Sequence, residues 1–350
     1  MSSSSSNADA VKGGYWAEAG GLSANQIHSE HFTHLFAAFA TLNQNNTISL
    51  SGEIAEFPKI VKQRNPNVKV LLSLGGAAID SNVFNNMARE QITRMIFIRS
   101  TIDQALKFKY DGIDLDWEGQ SRIDEMNNLG QLIIDFRAEI RHRGLNLLLT
   151  AALFYRATVP WGEGNPRFPV QAINANLDWV NVMSYDINLP NNEDRVAKPH
   201  APLKSPSQIV NSGSAGIQSW INEGLSPAKI VFGLPFYGHA CKLVNAHSHG
   251  ILAPIIGPDT SAFGASTVSY DGLRTFIEQQ GAAHQYDENY VTDYCYKDQV
   301  WVSYDDISSI STKVIYAREM ALRGYFAWCL HQDHNWDLSR EASQAWNQPN

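Results

Sequence analysis

The chain has 350 residues, of which 44% are hydrophobic and 18% are charged, and its formal net charge is −8 at pH 7. It is long enough to bury a large core, and an acidic chain without a basic run is a poor partner for nucleic acid or an anionic membrane surface. Its apolar stretches fall short of the roughly 20 residues that span a bilayer, and Cys241, Cys295 and Cys329 match no zinc or redox spacing.

The chain begins with Met1 and a run of serines, which lacks the basic and apolar regions of a secretory leader. We expect residues 1–10 to form a disordered tail. From residue 11 onward, short apolar runs alternate with helical patterns, which is typical of a parallel sheet covered on both faces. The predicted strands cover 11–16, 32–40, 68–74, 112–117, 147–153, 179–185, 230–235 and 324–330, and the clearest predicted helices cover 91–108, 122–143, 207–223 and 310–323.

Eight such strands predict an α/β fold of the (β/α)8 TIM-barrel type, with an open doubly wound sheet as the alternative. No Gly-rich phosphate loop follows a predicted strand, which counts against a nucleotide-binding version of the open sheet. A long segment with β-like runs at 292–296 and 300–303 separates the seventh strand from the eighth. We predict that 237–306 form a small α+β insertion on the rim of a catalytic barrel made of 11–236 and 307–346.

The fourth predicted strand carries four carboxylates, at Asp111, Asp114, Asp116 and Glu118. Because side chains alternate in a strand, the last three would share one face, with neighbours about 6–7 Å apart. Like charges this close raise the pKa of at least one carboxyl group, as a general acid that works near neutral pH requires. Asp111 has the wrong parity for this face and is expected to be structural. A metal site is the rival interpretation, because hard cations also bind carboxylates.

Aromatic residues follow several other predicted strands, at the end of a barrel where catalytic groups lie. Tyr15, Phe39, Tyr185 and Trp328 hold such positions. An aromatic pocket with one cluster of acids favours a sugar ligand, because the C–H faces of sugars stack on rings while their hydroxyl groups bond to carboxylates.

Three histidines in the predicted insertion raise the question of a metal. His239, His247 and His249 have no carboxylate at a supporting spacing, and we expect them to be solvated loop residues. The sequence therefore predicts neither a metal nor a cofactor, and Cys241 is expected to be an unreactive thiol.

On these residues the chain resembles the family-18 glycoside hydrolases, and in particular the plant class V chitinases. The Asp-x-x-Asp-x-Asp-x-Glu motif of that family is complete at 111–118, and its Ser-x-Gly-Gly and Met-x-Tyr-Asp motifs are present at 73–76 and 183–186. Trp328 matches the late aromatic residue of the family. The resemblance runs from about residue 11 to the C-terminus.

The resemblance implies hydrolysis of β-1,4-linked N-acetylglucosamine oligomers or chitin, with retention and with the N-acetyl oxygen of the substrate as nucleophile. It implies that Glu118 is the general acid and base and that Asp116 orients the acetamido group. Asp114 would share a proton with Asp116, and Tyr185 would donate a hydrogen bond to the acetamido oxygen. The implied substrate-binding residues are Tyr15, Phe39, Met183, Asp186, Tyr237 and Trp328.

The resemblance also implies a monomer that is extracellular or vacuolar, without a nucleic-acid or membrane partner. Because the sequence shows no leader, a cytoplasmic location is the alternative expectation.

Three departures from the family pattern would remove aromatic surface near the cleft. Residues 187–192 replace an aromatic, Gly-Pro-Gly-Trp-like loop, Cys241 stands where a Trp is common, and Gly119-Gln120 replace Tyr-Pro. One stacking platform contributes about 1 kcal/mol, so the loss of two would weaken polymer binding roughly tenfold or more. A chitinase-like lectin with little activity, and an enzyme for modified chito-oligosaccharides such as acylated signal molecules, are therefore the alternatives.

Overall fold

The computed structural model describes residues 10–193 and 195–348. The tail predicted over 1–10 lies outside these residues except for Ala10, which is buried. The strands are β1 (Val11–Ala17), β2 (His34–Ala40), β3 (Lys69–Gly75), β4 (Gly112–Asp116), β5 (Leu148–Phe154), β6 (Trp179–Met183), β7 (Ile230–Pro235), β8 (Tyr237–Leu243), β9 (Ile255–Pro258), β10 (Thr267–Ser269), β11 (Ala283–Asp287), β12 (Thr292–Lys297), β13 (Val300–Tyr304) and β14 (Gly324–Trp328).

Strands β1 to β7 and β14 pair in parallel and close into a barrel, in the order β1-β14-β7-β6-β5-β4-β3-β2. The predicted (β/α)8 barrel is thus confirmed, and the open sheet is excluded. Among the described residues, no helix combines the length and apolar character needed to cross a membrane. The helices are α1 (Gly52–Arg64), α2 (Ser81–Arg89), α3 (Gln91–Lys107), α4 (Ile123–His142), α5 (Val170–Asn176), α6 (Gly213–Asn222), α7 (Tyr270–Glu278), α8 (Ile307–Glu319) and α9 (Asp337–Asn347).

Two helices begin three or more residues from their predicted starts because polar side chains cap them. Helix α6 begins at Gly213, six residues later than expected, where the side chain of Ser212 accepts a hydrogen bond from the backbone N–H of Ala215. Helix α8 begins at Ile307, three residues earlier than expected, where Asp306 accepts from the backbone N–H of Ile307 at 2.8 Å. Both caps satisfy backbone donors that a helix start leaves unpaired.

The alternation of β4 divides its side chains between two regions. Ile113 and Leu115 belong to the apolar layer between strands and helices, while Asp114 and Asp116 occupy the other face, toward the barrel interior. The register places Asp114 opposite Ser73 of β3 and Thr150 of β5. A band of polar groups therefore lies at one level inside the barrel.

The remaining strands form a second, antiparallel sheet in the order β10-β8-β13-β12-β11, with β9 paired to β8. Only Phe236 separates β8 from the barrel strand β7, and the backbone N–H of Phe236 donates to the carbonyl of Trp328 at 2.8 Å. Because these six strands pair with one another, we propose that 237–306 form a unit inserted into the barrel. Its first strand starts at the edge of the barrel mouth.

Candidate active site

Asp114 is fully buried in the barrel, where hydrogen-bond donors surround its carboxylate. Its Oδ2 accepts from Tyr15 Oη at 2.7 Å and Ser73 Oγ at 2.8 Å. Its Oδ1 accepts from Thr150 Oγ1 at 2.6 Å and from Asn181 Nδ2 at 3.5 Å. Burial raises the pKa of Asp114, and the hydrogen bonds from Thr150, Tyr15 and Ser73 oppose that rise.

Asp116 lies one level nearer the barrel mouth. It is buried, and its Oδ1 has no hydrogen-bond partner among the described residues. Burial, followed by the charges of Glu118 and Asp114, holds the pKa of Asp116 well above its usual range. An unpartnered oxygen on a buried carboxyl group is costly unless a ligand or water supplies the missing hydrogen bond.

Glu118 lies beyond the end of β4, which stops at Asp116, two residues earlier than the predicted alternation required. The segment is fixed instead by hydrogen bonds, from Gln120 Nε2 to the carbonyl of Trp117 at 2.5 Å and from Trp117 Nε1 to Ser81 Oγ at 2.8 Å. Burial, together with the charge of Asp186, raises the pKa of Glu118 to about 7. Such a carboxyl group can donate and accept a proton near neutral pH.

Asp111 lies at the opposite end of the strand from these acids. Its carboxylate contacts Lys62 Nζ at 2.7 Å and Lys69 Nζ at 3.6 Å, and it accepts from the backbone N–H of Val70 at 2.8 Å. These contacts tie β4 to its neighbours, as a structural role requires.

A cleft of about 430 Å³ opens above Asp116 and Glu118 at the barrel mouth. Three residues of the predicted site do not line it. Asp114 lies beneath its floor, the Phe39 ring lies 5.6 Å from that of Trp328, and Tyr237 donates to Asp186 from outside. The lining residues are Tyr15, Ala77, Asp116, Glu118, Ala152, Phe154, Trp161, Met183, Tyr185, Asp186, Leu189 and Trp328.

Aromatic rings form much of the cleft floor. Tyr15 stacks on Phe36 at 4.4 Å and meets Trp328 edge-on at 5.5 Å. Tyr185 is buried, and burial, followed by the charges of Asp116 and Glu118, raises its pKa well above the usual value. Its hydroxyl group therefore stays protonated and remains a hydrogen-bond donor.

Two exposed cleft residues were missed by the sequence analysis. Trp161 is 67% exposed in the connection after β5, and its ring meets that of Phe154 edge-on at 5.0 Å. Leu189, which is 46% exposed, lies on the cleft wall. It belongs to segment 187–192, which differs from the family pattern. A Trp between Pro160 and Gly162 was the available signal, since exposed aromatic residues in turns often bind ligands. The outer cleft thus has more aromatic surface than predicted.

Cys241, which stands where the family commonly has a Trp, does not line the cleft. It is buried with Ile255 and Trp301 in the core of the second sheet. The three cysteines of the chain, all within the described part, form no disulfide.

The expectation of solvated loop histidines is wrong for His239 and His249. His239 belongs to β8, because the chain turns directly from the barrel into the second sheet, and its Nε2 lies 2.9 Å from Asp186 Oδ1. His249 stacks on Tyr296 at 3.7 Å, whereas His247 is exposed as expected.

Asp186 has a second histidine partner, which the sequence analysis did not identify. Nδ1 of the buried His200 lies 3.3 Å from Asp186 Oδ1. Burial alone would raise the pKa of Asp186, but hydrogen bonds from His200 and His239 outweigh it and hold this pKa well below its usual range. Asp186, His200 and His239 each offer one atom that could bind a metal ion, and these three atoms lie within 4.8 Å of one another. The sequence analysis had found no carboxylate at a supporting spacing for His239.

Comparison with known proteins identifies the family. Residues 12–333 match the model for glycosyl hydrolases family 18. The chain belongs to this family. It is therefore a glycoside hydrolase, as the motifs at 73–76, 111–118 and 183–186 implied.

Relatives of this family-18 chain include plant enzymes that cover nearly its whole length. It is 42% identical over 347 residues to a class V chitinase of Arabidopsis thaliana, which covers 96% of this chain and 90% of the relative. It is 36% identical over 351 residues to Nod factor hydrolase protein 1 of Medicago truncatula, with the same two coverages, 96% and 90%.

Solved structures show the same architecture. A mutant class V chitinase from Nicotiana tobaccum in complex with NAG4 superposes with a TM-score of 0.91 at 40% identity, covering 97% of this chain and 99% of its own. A chitinase-like agglutinin from Robinia pseudoacacia superposes with a TM-score of 0.87 at 39% identity, covering 97% and 100%. The fold is thus common to chitinases and to a chitinase-like agglutinin.

Proposed function

We propose that this family-18 glycoside hydrolase cleaves β-1,4-linked N-acetylglucosamine oligomers with retention, and that Glu118 is its general acid and base. The observation that carries the proposal is the pKa of Glu118, raised to about 7 at the edge of a cleft whose floor holds Asp116. A protonated Glu118 donates to the glycosidic oxygen, and the resulting carboxylate then takes a proton from water.

Asp116 serves the substrate's acetamido group in this proposal. In family-18 enzymes the acetamido carbonyl oxygen attacks the anomeric carbon, so that the enzyme needs no carboxylate nucleophile. The unpartnered Oδ1 of Asp116 is available to accept from the acetamido N–H, which orients the group. A carboxylate at this position also stabilises the positive charge of the cyclic intermediate.

Asp114 and Tyr185 complete the proposed machinery. The charge of Asp114 raises the pKa of Asp116, which supports one proton shared between the two carboxyl groups. Tyr185 keeps its proton and donates a hydrogen bond to the acetamido oxygen, which holds that oxygen in place for its attack on the anomeric carbon.

The sugar rings would rest on the aromatic floor. Trp328 and Tyr15 supply stacking surface, and Met183 and Asp186 complete the wall. Phe39 and Tyr237 support Trp328 and Asp186 from behind. We further propose a monomer with an extracellular or vacuolar location, by resemblance to plant class V chitinases.

The test is cleavage of chitohexaose by the wild type and by Glu118→Gln. We expect the wild type to release shorter oligomers and the variant to lose at least about 1,000-fold in kcat, because an amide cannot act as the acid. Circular dichroism of the variant controls for folding. An active Glu118→Gln protein would contradict the assigned role.

A second candidate substrate is an acylated chito-oligosaccharide. The exposed Leu189 and Trp161 give the outer cleft an apolar edge on which an acyl chain could lie, and one relative is a Nod factor hydrolase. A kcat/KM at least tenfold higher for an acylated pentamer than for the plain pentamer would favour this substrate. Calorimetric binding of both pentamers without cleavage would favour a lectin, like the agglutinin neighbour.

A further inference from the structure

A side pocket of about 90 Å³ opens from the cleft beside Glu118. It shares Glu118, Phe154, Trp161 and Met183 with the cleft, whereas none of the described residues assigned to the acetamido group or to the aromatic floor lines it. In the proposed reaction Glu118 protonates the oxygen that joins the reacting sugar to the leaving sugar. The side pocket therefore lies on the leaving-group side of the cleft.

Buried apolar side chains close the side pocket on its inner side, among them Val159 and Phe168. Backbone hydrogen bonds hold the segment that carries them. The N–H of Val159 donates to the carbonyl of Pro166 at 3.0 Å, and the N–H of Phe168 donates to the carbonyl of Ala157 at 3.0 Å. The walls are thus formed before a ligand binds, and they offer dispersion contacts to a small apolar group.

Gln120 adds a carboxamide to this apolar lining. The residue is buried, and its Nε2 donates to the carbonyl of Trp117 at 2.5 Å. A Gln side chain has two amide protons and an acceptor oxygen, so this hydrogen bond uses only part of its capacity. The family commonly has Pro at this position, which offers no side-chain amide, so the carboxamide is a feature of this chain.

The volume of the side pocket limits what it can hold. It measures about 90 Å³, against about 430 Å³ for the cleft. Sites that enclose a whole small molecule usually measure roughly 300–1,000 Å³. The side pocket therefore suits a substituent of a sugar and is too small for a sugar ring or a long acyl chain. An acetamido group, with one methyl group and one amide, matches both its apolar walls and its carboxamide.

We propose that this side pocket binds the N-acetyl group of the leaving sugar, with Gln120 as a specificity-determining residue that pairs with the acetamide while Val159 and Phe168 surround its methyl group. The inference rests on the proposed function, in which the bond beside Glu118 is cleaved. A glucosamine unit at the leaving position would bring a protonated amine to apolar walls, which is costly.

The charge of the cleft opposes this preference. Asp186 lines the cleft, and hydrogen bonds from His200 and His239 hold its pKa well below the usual range, so its carboxylate would attract a protonated amine. A preference for the acetylated unit must therefore come from the side pocket.

The experiment digests partially N-acetylated chitosan oligomers and identifies the new chain ends by mass spectrometry. Each new non-reducing end was the leaving sugar. We expect N-acetylated units there at least about tenfold more often than the substrate composition gives. New non-reducing ends with the composition of the substrate overturn the inference. Glucosamine at the new reducing ends would contradict the proposed function instead, because only an acetylated unit supplies the nucleophile, and the non-reducing ends would still decide what the side pocket selects.

Two variants test the side chains. Gln120→Met removes the amide at similar size, Val159→Leu narrows the side pocket, and each should lower the preference at least about threefold. Gln91→Met, at an exposed position on α3, is the matched control and should keep the wild-type preference. A preference unchanged in both variants overturns the inference even if kcat falls, because a purely structural role lowers turnover without changing this ratio.

A crystal structure of Glu118→Gln with chitohexaose needs no turnover. An N-acetyl group seated between Val159 and Phe168, within hydrogen-bond distance of Gln120, supports the inference, and a leaving-side acetyl group that points to solvent overturns it. If the wild type does not cleave chitohexaose, the proposed function fails, and this complex still shows whether the side pocket binds an acetyl group.

Discussion

Glu118 is held in surroundings that disfavour its charge. Burial, then the negative charge of Asp186, raises its pKa from 4.5 to about 7. The same surroundings that make it an acid near neutral pH must therefore destabilise the folded protein whenever Glu118 is ionised. At Glu118, the raised pKa that an acid catalyst needs and the stability of the folded protein therefore oppose each other.

Stability as a function of pH tests this opposition. Because the pKa of Glu118 is higher in the folded state, binding of a proton to Glu118 favours the folded state. This contribution to the free energy of unfolding is fully present below pH 4.5 and is lost as the pH rises to about 7. Glu118→Gln mimics the protonated form at every pH. We expect the variant to gain free energy of unfolding over the wild type from pH 4.5 upward, reaching at most about 3 kcal/mol above pH 7.

Urea unfolding at about pH 5 and about pH 8 measures this difference. Glu56→Gln is the matched control, because Glu56 is exposed on α1 and its ion pair with Lys59 lies at the surface. If Glu118→Gln raises the free energy of unfolding by the same amount at the two pH values, burial of a charged carboxylate is not the cause of the increase.

The strands determine which acids meet, and the connections after them determine what the cleft can bind. The pairing of β3, β4 and β5 places Ser73, Asp114 and Thr150 at one level, so hydroxyl groups from the two neighbouring strands donate to one buried carboxylate. The outer wall instead depends on Trp161, which lies in the connection after β5 and presents its ring to solvent. Exposed apolar surface of this kind is typical of a ligand platform.

Trp161→Ala should therefore affect substrate binding more than chemistry. Loss of one stacking platform costs about 1 kcal/mol, so we expect KM for chitohexaose to rise roughly fivefold to tenfold with kcat nearly unchanged. Steady-state kinetics on chitohexaose provide the measurement. Ile92→Ala, a change at a 77% exposed position on α3 away from the cleft, should leave both constants alone. A fall in kcat with constant KM would place Trp161 in the chemical step.

Strand positions were predictable from the sequence because parallel strands carry continuous apolar runs, and β7 was predicted at the observed residues. The acids were predictable because their alternation assigns a face to each side chain. The end of β4 at Asp116 was not, because hydrogen bonds of Trp117 and Gln120 with Ser81 and the backbone decide it. Helix α8 likewise begins where Asp306 supplies a cap.

Contacts between distant segments were the hardest part of the site to predict. His200 and His239 meet Asp186 only because the second sheet begins at the barrel mouth and β8 pairs with β13, whose Ser303 holds the backbone of His200. No periodicity in the sequence encodes these separations. Such a cluster depends on tertiary packing of the whole molecule.

A buried ion pair links the barrel to the second sheet. Lys313 of α8 donates to Asp305 Oδ1, just after β13, at 2.6 Å and to the carbonyl of Ala201 at 2.5 Å. Both charged side chains are almost completely buried, and burial lowers the pKa of Lys313 against the opposing charge of Asp305. Helix, loop and sheet are thus held by one ammonium group.

Lys313→Met should destabilise the whole molecule by about 3–5 kcal/mol, because it leaves Asp305 buried without its partner. Thermal unfolding measures the loss, and Lys313→Met with Asp305→Asn should recover part of it. Lys59→Met removes an exposed partner of Glu56 and should cost less than about 1 kcal/mol. Equal losses from the two Lys→Met variants would contradict the structural importance of the buried pair.

In the proposed mechanism, cleavage proceeds with retention, through the substrate's own acetamido group and a single acid and base, Glu118. Time-resolved ¹H NMR of chitohexaose cleavage gives the anomeric configuration of the new reducing ends before mutarotation. We predict that the β-anomer appears first, since two displacements at the anomeric carbon restore the original configuration. Initial formation of the α-anomer would contradict the mechanism.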